Sequence, residues 1–438
     1  MMPDVTSATE LRARLDEAPM SRTQIRAVAI TFLLSALDGY DVLSATFAAP
    51  AISADWGIGK AALGIVLSAG LAGMALGALL LAPLADSVGR KAMILVSLVL
   101  MAIGMLGCAM SPSIEWLAGW RVITGLGIGA CVAVINPVAA EFANARRRPL
   151  TVAIMAVGFP AGGVVGGVVA ALLLRQFGWE AVFTLGSVTA AVLIPVIIFA
   201  LPESLGYLLA RERRDGLSRV NAVLLRYGQP TVATLAYPNV SRVGYAAIFS
   251  SRIRTVTAWI TLVNVLFVLT VYYVLSWLPQ LVADAGFEPS VASLVSVAAS
   301  SAGVVGGLAL GFLAQRGRLR ELVASGLLGL AAATALFGAM PPSLPLLFLA
   351  ASLCGFFLFG GAAGMYATLA TTFPDEARAA GTGFVSGMGR ISSACAPALA
   401  GWLFAAGLTR AEVSIAFAAC SAAAGLLLLW GWRKVRFT

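Results

Sequence analysis

The stretch Leu37-Asp38-Gly39-Tyr40-Asp41 places two carboxylates in the middle of an apolar run that extends from about Ala27 to Ile52. The run is long enough to cross the hydrocarbon core of a bilayer, which takes about 20 helical residues. A charge at that depth is costly, so it normally faces a cavity or a partner and has a function. Asp38 and Asp41 share one helix face at a spacing of i, i+3, and two acids held that close do not both ionise easily. The stretch predicts a membrane helix whose carboxylates take up and release a proton; a structural pair neutralised by a buried arginine is the alternative.

The composition excludes a soluble protein. Of the 438 residues, 60% are hydrophobic and 11% are charged, whereas a soluble domain carries about 25% charged residues. The sequence is therefore that of a polytopic membrane protein. Residues 1–25 are polar and mixed in charge, so we expect no cleavable signal peptide.

The residues that usually hold metals or perform catalysis are scarce. The chain has no histidine, which argues against zinc sites and histidine-based catalysis. Its five cysteines all lie within apolar runs, and we expect them to be buried, without disulfides or a metal site. No nucleophile motif or phosphate-binding loop favours an enzyme. We expect neither a cofactor nor enzymatic activity.

The net charge of +9 reflects membrane topology rather than nucleic-acid binding. When the loops between the apolar runs are taken in alternation, 24 of the 29 lysines and arginines fall on one side. The other side carries Lys60, Arg175 and Arg410, while Arg121 and Arg390 lie inside apolar runs. This asymmetry follows the positive-inside rule and predicts that both termini are cytoplasmic. No nucleic-acid partner is expected.

The apolar runs predict an all-α membrane protein with twelve transmembrane helices in two six-helix bundles, because each run has the length of a tilted membrane helix. The first six spans lie near Ala27–Ile52, Ala61–Ala85, Ala92–Met110, Ile114–Ala140, Leu150–Leu174 and Glu180–Leu201, and the last six near Val256–Ala283, Val291–Ala314, Leu322–Met340, Leu344–Thr372, Gly381–Ala406 and Val413–Gly431. The expected domains are a cytoplasmic N-terminal tail (1–25), an N-terminal bundle (26–201), a cytoplasmic central loop (202–254), a C-terminal bundle (255–432) and a cytoplasmic C-terminal tail (433–438). Within the central loop, Leu205–Tyr227 has the pattern of an amphipathic helix at the cytoplasmic surface.

The two halves repeat weakly but in register, which predicts a duplicated, pseudo-symmetric unit. Tyr40–Ser44 matches Tyr272–Ser276, and Thr151–Gly158 matches Thr382–Gly389 at nearly the same separation. The halves differ at the charged positions: Asp38 corresponds to Thr270, Asp41 to Tyr273 and Arg390 to Phe159. The scaffold therefore does not require charge there, which favours a function for all three charged residues.

The loop Ala82-Pro83-Leu84-Ala85-Asp86-Ser87-Val88-Gly89-Arg90-Lys91 joins spans 2 and 3. Gly89 permits a tight turn, and Asp86 can pair with Arg90 or face a helix N-terminus. At this loop the chain resembles the major facilitator superfamily, whose signature reads G-x-L-a-D-r-x-G-R-k. Arg121-Val122-Ile123-Thr124-Gly125 and Leu201-Pro202-Glu203-Ser204 resemble two further signatures of that superfamily. The resemblance implies two bundles around a central cavity, transport by alternating access, and a gating role for Asp86, Gly89 and Arg90.

Two other patterns are interpreted as structural. Gly158, Gly162 and Gly166 are spaced by four residues in span 5, and such a smooth helix face lets a neighbouring helix approach closely. Glu141 and the basic run Arg146–Arg148 are expected to form a salt-bridge cluster at the membrane interface.

Within the superfamily, Asp38-Gly39-Tyr40-Asp41 resembles the D-G-x-D motif of the aromatic acid:proton symporter family. Ser276-Trp277-Leu278-Pro279 and Gly387-Met388-Gly389-Arg390 are similar to other features of that family. The resemblance implies a transporter of a bacterial inner membrane that imports an aromatic carboxylate, such as benzoate or a hydroxybenzoate, by proton symport. Its expected partners are the acid anion, the proton and the lipid bilayer, and we expect it to act as a monomer.

The chemistry of the buried residues suggests their roles. Arg390 offers a planar fork of donors that suits a carboxylate and stays charged, and aromatic walls around one cation suit an aromatic anion. We expect proton coupling by Asp38, Asp41 and Arg121, and substrate binding by Arg390, Asp41, Tyr273, Trp277 and Tyr366. Structural pairing is an equal alternative for Arg121, and packing or an interfacial belt is the usual role of aromatic residues in a membrane bundle.

Other functions are consistent with parts of the pattern. The same aspartates and Arg390 would serve proton symport of a dicarboxylate or a shikimate-like acid. The glycine-rich span 5 loosely resembles drug:proton antiporters, although export of cations would leave Arg390 unexplained. The chain lacks the catalytic motifs expected of a membrane enzyme. A receptor role would leave no recognisable sequence pattern.

Overall fold

The computed structural model describes residues 5–210, 215–237, 249, 253–314, 318–374 and 377–431. Its helices are α1 (Ala8–Glu17), α2 (Arg22–Trp56), α3 (Lys60–Leu76), α4 (Ala85–Val88), α5 (Arg90–Ala109), α6 (Ile114–Glu141), α7 (Arg148–Gln176), α8 (Glu180–Ala200), α9 (Leu205–Leu209), α10 (Gly216–Tyr227), α11 (Arg254–Ala283), α12 (Pro289–Ala314), α13 (Leu319–Ala339), α14 (Leu344–Thr372), α15 (Arg378–Ala405) and α16 (Arg410–Gly431). Between α3 and α4, Gly77–Leu81 forms a π-helical turn and Ala82–Leu84 a 3-10 turn. Two three-residue strands, β1 (Val5–Ser7) and β2 (Thr234–Ala236), pair in parallel.

The prediction of twelve membrane spans is confirmed. Within the described residues, eleven helical segments are long and apolar enough to cross a membrane. The 28-residue helix α15 packs against α3 and α11 and completes the twelve. Spans 1 to 12 correspond to α2, α3, α5 to α8 and α11 to α16, so that α2 to α8 form the N-terminal half and α11 to α16 the C-terminal half.

Local sequence signals define the ends of α2, the helix that carries both carboxylates. Ser21 and Gln24 form a reciprocal capping box at its start, in which each side chain accepts a hydrogen bond from the backbone N–H of the other residue. Gly57 ends the helix with a left-handed backbone at φ 61°, which glycine adopts without a steric penalty. These two signals place Asp38 and Asp41 in the middle of a 35-residue helix.

The predicted glycine face of span 5 packs against α2. A side chain at Gly158, Gly162 or Gly166 would overlap residues of α2, at Ser35, Ala36 and Tyr40 respectively. A side chain at Gly39 would in turn overlap the backbone of Phe159. The two helices therefore touch backbone to backbone over several turns, which fixes the position of the Asp38 turn.

The two halves are joined at one end of the molecule, called here the Lys60 end. Lys60 Nζ lies 2.7 Å from Asp284 Oδ2, and this ion pair connects the start of α3 with the residue that follows α11. The backbone N–H of Ala398 in α15 donates a hydrogen bond to Ser68 Oγ in α3 at 2.9 Å. The two halves also meet through packing of α3 against α15 and of α7 against α12.

The N-terminal segment, expected as a tail, is partly folded onto the N-terminal half. A capping box of Ser7 and Glu10 begins α1, and the hydrogen bonds from Ser7 lower the pKa of the Glu10 carboxyl. The side chain of Asp16 pairs with Arg148 at the start of α7, and β1 pairs with β2 of the central loop. This segment and the central loop therefore cover the same end of the N-terminal half.

The predicted amphipathic segment of the central loop forms two helices, α9 and α10, and residues 211–214 between them lie outside the described part of the chain. The buried face of α10 consists of Gly216, Val220, Val223, Leu224 and Tyr227. Tyr227 packs edge-on against Phe142, with ring centroids 6.3 Å apart. The amphipathic face of α10 therefore rests on the N-terminal half.

The expectation that all five cysteines are buried is wrong for two of them. Cys108, Cys131 and Cys354 are buried, whereas Cys395 is exposed and Cys420 is partly exposed. Both lie on helix faces that neighbouring helices leave uncovered, and an apolar run does not distinguish a face toward lipid from one toward protein.

Candidate functional site

Helix α2 carries the two motif carboxylates into the protein interior. Asp38 is 5% exposed and Asp41 is fully buried, and the two lie close enough for their charges to interact. Within the described chain, Oδ1 of Asp38 and both carboxylate oxygens of Asp41 have no hydrogen-bond partner. Since most buried polar groups are hydrogen-bonded, three unpartnered carboxylate oxygens in two neighbouring residues mark this turn as unusual.

Asp41 lies inside the N-terminal half, next to Arg121 of α6. Nη1 of Arg121 donates a hydrogen bond to the backbone oxygen of Asp41 at 3.2 Å, and the charges of the two side chains interact. The carboxylate reaches α8, where a Cβ at Gly186 would come within 2.9 Å of Asp41 Oδ1. Arg121 is itself 3% exposed and packs against Gly70 of α3. The structure thus brings together two of the residues predicted for proton coupling, but it does not place Asp41 beside Arg390.

The charge of Asp38 interacts with that of Arg390, which belongs to α15 in the C-terminal half. Tyr272 of α11 lies within electrostatic range of Arg390 and Asp38. It also lies within electrostatic range of Tyr366 in α14. Tyr366 is 69% exposed, so this group of residues extends from the buried Asp38 to an open surface. Asp38, Arg390, Tyr272 and Tyr366 are called here the cleft cluster.

Besides Asp41, two further predicted substrate residues, Tyr273 and Trp277, lie outside the cleft cluster. The hydroxyl of Tyr273 is 2.7 Å from Ser414 Oγ, and its ring stacks on Phe417 of α16 with centroids 4.4 Å apart. Nε1 of Trp277 donates a hydrogen bond to the backbone oxygen of Pro397 at 3.1 Å. Trp277 therefore packs where the halves are joined at the Lys60 end, and Tyr273 packs inside the C-terminal half.

Two small cavities lie between the halves. The serine cavity is lined by Leu43, Val274, Leu275, Leu278, Ser296, Ala299, Ser300, Gly355, Leu358 and Phe359. The arginine cavity is lined by Val42, Leu43, Ala45, Thr46, Leu67, Leu71, Arg121, Tyr272, Leu275 and Ser276. Because Leu43 and Leu275 border both, the cavities are neighbours. The arginine cavity also connects Tyr272 of the cleft cluster with Arg121, the neighbour of Asp41.

The predicted gating residues form a compact cluster at the end of the N-terminal half. Arg90 Nη1 lies 3.2 Å from Asp86 Oδ1, so that Asp86 of α4 pairs with Arg90 at the start of α5. Glu203 Oε1 accepts hydrogen bonds from the backbone N–H groups of Arg90, Lys91 and Ser204. Gly89 adopts φ 113°, a conformation that an L-residue with a side chain rarely takes.

Glu141 belongs to this gating cluster rather than to the basic run that follows it. One carboxylate oxygen lies 3.7 Å from Arg90 Nη2, and the other accepts a hydrogen bond from Ser204 Oγ. Arg148 pairs with Asp16 instead. The expected cluster of Glu141 with Arg146–Arg148 is therefore replaced by two separate ion pairs, because the loop after α6 lies against the N-terminal segment and brings Arg148 to Asp16.

Comparison with known proteins identifies the family. A family model described as Major Facilitator Superfamily matches residues 31–337 and 260–437. The chain belongs to the major facilitator superfamily. The 4-hydroxybenzoate transporter PcaK of Pseudomonas aeruginosa is 33% identical over 393 residues, which cover 88% of this chain and 87% of that protein. A gallate transporter of Pseudomonas putida is 30% identical over 415 residues, which cover 93% of this chain and 92% of that protein.

Solved structures of the superfamily share the architecture. The crystal structure of a D-xylose–proton symporter superposes with a TM-score of 0.73 at 16% sequence identity, and the match covers 94% of this chain and 99% of that one. The protein is thus a membrane transporter with the major facilitator fold. The resemblance to aromatic acid transporters that the D-G-x-D motif indicated is confirmed by the two relatives.

Sequence reasoning did not assign site roles to several residues of this transporter. Tyr272, rather than Tyr273, faces the cleft cluster, and a rotation of 100° about the helix axis separates two successive helical residues. Glu203 was recognised as part of a signature, but its hydrogen bonds from the backbone of Arg90 and Lys91 follow from the approach of the end of α8 to the start of α5. The ion pair of Lys60 with Asp284 joins the start of α3 to the residue after α11, in different halves, and leaves no local sequence signal.

Proposed function

We propose that this transporter imports an aromatic carboxylate together with a proton by alternating access. The observation that carries the proposal is the placement of Asp38 and Arg390, which belong to opposite halves and lie within electrostatic range of each other in a cleft with two tyrosines. The relatives named as 4-hydroxybenzoate and gallate transporters support the aromatic class.

Arg390 is the group that binds the substrate carboxylate. Its guanidinium can donate two parallel hydrogen bonds to a carboxylate, and Tyr272 and Tyr366 offer aromatic faces and hydroxyls beside it. A substrate anion at Arg390 competes with ionised Asp38 for the same positive charge. This competition supplies a direct reason why substrate and proton bind together.

The coupling follows from this competition. When Asp38 takes up a proton, its attraction for Arg390 disappears and Arg390 becomes available to the substrate anion. Each of the two ligands therefore strengthens the binding of the other, as reciprocal linkage requires. Asp41, whose carboxylate is buried without a hydrogen-bond partner near Arg121, is the second proton-exchanging group, since a buried charge without a partner is costly.

Release on the cytoplasmic side is consistent with the way the halves meet. The positive-inside prediction assigns the Lys60 end to the periplasm, where the halves are joined by Lys60 with Asp284 and by Ser68 with Ala398. The exposed Tyr366 lies toward the opposite end, near the C-terminal end of α14. We interpret the structure as an inward-facing state. We propose that the gating cluster controls the closure of the cytoplasmic end in the outward-facing state.

The test is uptake by purified protein in liposomes under an imposed inward proton gradient. The labelled panel contains benzoate, 4-hydroxybenzoate, a phenylpropionate, shikimate and a dicarboxylate. We expect accumulation of an aromatic acid that stops when an ionophore collapses the gradient. Uptake of only the non-aromatic acids would retain proton symport and remove the aromatic assignment. If folded protein accumulates none of them, proton-driven import is overturned. Export of a drug or metabolite then becomes the hypothesis to test.

A further inference from the structure

Ser296 of α12 has a buried hydroxyl with no hydrogen-bond partner. The residue is 8% exposed, and its Oγ has no partner within the described chain. Two serines of the same helix satisfy their hydroxyls with the carbonyl four residues earlier, Ser293 with Pro289 at 3.0 Å and Ser301 with Val297 at 2.8 Å. This bond is the usual solution for a helical serine. The free hydroxyl of Ser296 therefore calls for an explanation.

The hydroxyl of Ser296 belongs to the lining of the serine cavity. The buried hydroxyls without a partner in the described chain are those of Ser97, Thr261, Ser296, Thr334 and Thr382. Among these, Ser296 is the one that lines either of the two cavities between the halves. Apart from Ser296 and Ser300, the lining consists of apolar side chains and Gly355, with the ring of Phe359 as one wall. Two serine hydroxyls in an otherwise apolar recess, one of them without a partner, fit the pattern of a ligand-orienting site, which has a few polar groups among apolar walls.

The serine cavity is placed at a suitable distance from the cleft cluster. Its border residue Leu275 follows Tyr272 by three residues on α11, and Leu43 follows Asp38 by five residues on α2. At a rise of about 1.5 Å per residue, the border lies about 5 to 8 Å further toward the Lys60 end. That is comparable with the distance from the carboxylate of a benzoic acid to a substituent across its ring.

We propose that Ser296 recognises a ring hydroxyl of the substrate, so that the transporter prefers phenolic acids to unsubstituted benzoate. This inference rests on the proposed import of aromatic acids. With the carboxylate at Arg390, the ring extends toward Phe359 and its hydroxyl exchanges a hydrogen bond with Ser296 Oγ. A site with a buried polar group discriminates strongly against an analogue that leaves this group unpaired.

The location of the cavity between the halves explains how the subsite becomes accessible. Leu43 is the part of the lining that comes from the N-terminal half, and the remaining residues come from α11, α12 and α14. When the halves separate at the Lys60 end, Leu43 moves away from the other lining residues. Ser296 then becomes accessible from the opening between the halves at that end. The substrate hydroxyl therefore reaches Ser296 in the state that faces the Lys60 end.

The experiment compares equilibrium binding of benzoate, 3-hydroxybenzoate and 4-hydroxybenzoate to purified full-length protein at one pH. We expect the wild type to bind at least one hydroxybenzoate about three- to tenfold more tightly than benzoate. Ser296→Ala should remove this preference while leaving the Kd of benzoate unchanged. Ser296→Thr, which keeps a hydroxyl, should retain part of it, and Ser293→Ala, whose hydroxyl is satisfied within the helix, should retain all of it.

Thermal unfolding separates recognition from a structural role. Removal of a hydroxyl that has no partner should leave the Tm of Ser296→Ala equal to or above that of the wild type. A wild type that binds benzoate as tightly as both hydroxybenzoates overturns the subsite without reference to any variant. An equal loss of affinity for all three acids in Ser296→Ala also overturns it. If the wild type binds no aromatic acid, the proposed function fails, and the subsite fails with it.

Discussion

Asp38 and Arg390 belong to different halves of the transporter, yet they lie within electrostatic range of each other, and Oδ1 of Asp38 has no hydrogen-bond partner in the described chain. Their charges attract each other, but no direct ion pair joins the two side chains in the described chain. A tight buried ion pair would cost several kcal/mol to break and would resist exchange with a substrate. This arrangement suits an Arg390 that stays attracted to Asp38 until a substrate anion and a proton replace the attraction.

The first prediction concerns the linkage between substrate and proton. In the wild type, protonation of Asp38 releases Arg390, so substrate affinity should rise as the pH falls over a range in which the substrate stays ionised. Asp38→Asn imitates the protonated state permanently. Its substrate Kd should therefore be low and independent of pH, while gradient-driven accumulation is lost. Isothermal titration calorimetry between pH 5.5 and 8, with uptake assays beside it, measures both effects.

Asp41→Asn is the matched variant for this experiment. Asp41 lies near Arg121 and away from Arg390, so its replacement should abolish accumulation without freeing Arg390. The pH dependence of substrate binding should then remain. Gradient-driven uptake by Asp41→Asn at the wild-type rate would remove Asp41 from the coupling scheme.

The second prediction concerns Arg390 itself. Loss of charged hydrogen bonds costs about 1.5 to 3 kcal/mol, so Arg390→Ala should raise the substrate Kd by about ten- to a hundredfold. Arg390→Lys should recover part of this loss, because an ammonium group keeps the charge but not the planar fork. Arg320→Ala is the control, since that side chain bonds the Leu428 carbonyl. An unchanged Kd in Arg390→Ala would favour an exporter of another substrate class.

The third prediction separates two adjacent tyrosines. Tyr272→Phe should alter substrate affinity, because its side chain lies in the cleft cluster. Tyr273→Phe should leave affinity unchanged but destabilise the fold by about 1 kcal/mol, because it breaks the hydrogen bond with Ser414. Binding assays of both variants measure the substrate affinity, and thermal unfolding measures the stability of the fold. If Tyr273→Phe alone weakened binding, the cleft cluster would have to be drawn around Tyr273.

Much of the fold followed from the sequence because it depends on local pattern. Twelve apolar runs are sufficient to indicate twelve helices, and the glycines of span 5 predicted close contact with a neighbouring helix, which the structure shows to be α2. The deep carboxylates and Arg390 stand out because a membrane tolerates few charges. Their assignment to pairs did not follow, because Asp38 meets Arg390 only through the packing of two halves.

The internal repeat contained more information about Tyr273 than the aromatic composition did. Asp41 corresponds to Tyr273 in the repeat, and both side chains point toward the sixth helix of their own half, Asp41 toward Gly186 and Tyr273 toward Ser414. The equivalent position is thus interior in both halves. The docking of the N-terminal segment is different, because strands of three residues such as β1 and β2 are too short to give a periodic signal.

The fourth prediction concerns the gating cluster. Gly89 has φ 113°, and a Cβ at this position would also overlap the carboxylate of Glu203. Gly89→Ala should therefore cost about 1 to 3 kcal/mol of local strain and reduce the transport rate with little change in substrate Kd. Gly57→Ala is the control, since Gly57 also has a positive φ but has open space around it. The left-handed backbone of Gly57 at φ 61° costs an alanine less than the φ of 113° at Gly89, so equal effects of the two substitutions would contradict the prediction for Gly89.

The fifth prediction concerns the ion pair of Lys60 with Asp284. It joins the two halves at 2.7 Å, and its side chains are 39% and 30% exposed, so solvent screening limits its strength to about 0.2 to 1 kcal/mol. Asp284→Asn should therefore shift the equilibrium toward opening at the Lys60 end by no more than about fivefold. Electron–electron distance measurements between spin labels at Glu115 and Glu288, in a cysteine-free background, report the two populations.

A charge exchange tests whether the pair itself is responsible for this shift. Lys60→Asp combined with Asp284→Lys should restore the wild-type distance distribution, whereas either substitution alone should broaden it toward longer distances. High salt should imitate the single variants, because it screens partly exposed charges. Glu412→Gln is the control, since Glu412 caps its own helix through Thr409. If the exchanged pair behaved like the single variants, the closure would depend on the packing of α3 against α15 rather than on charge.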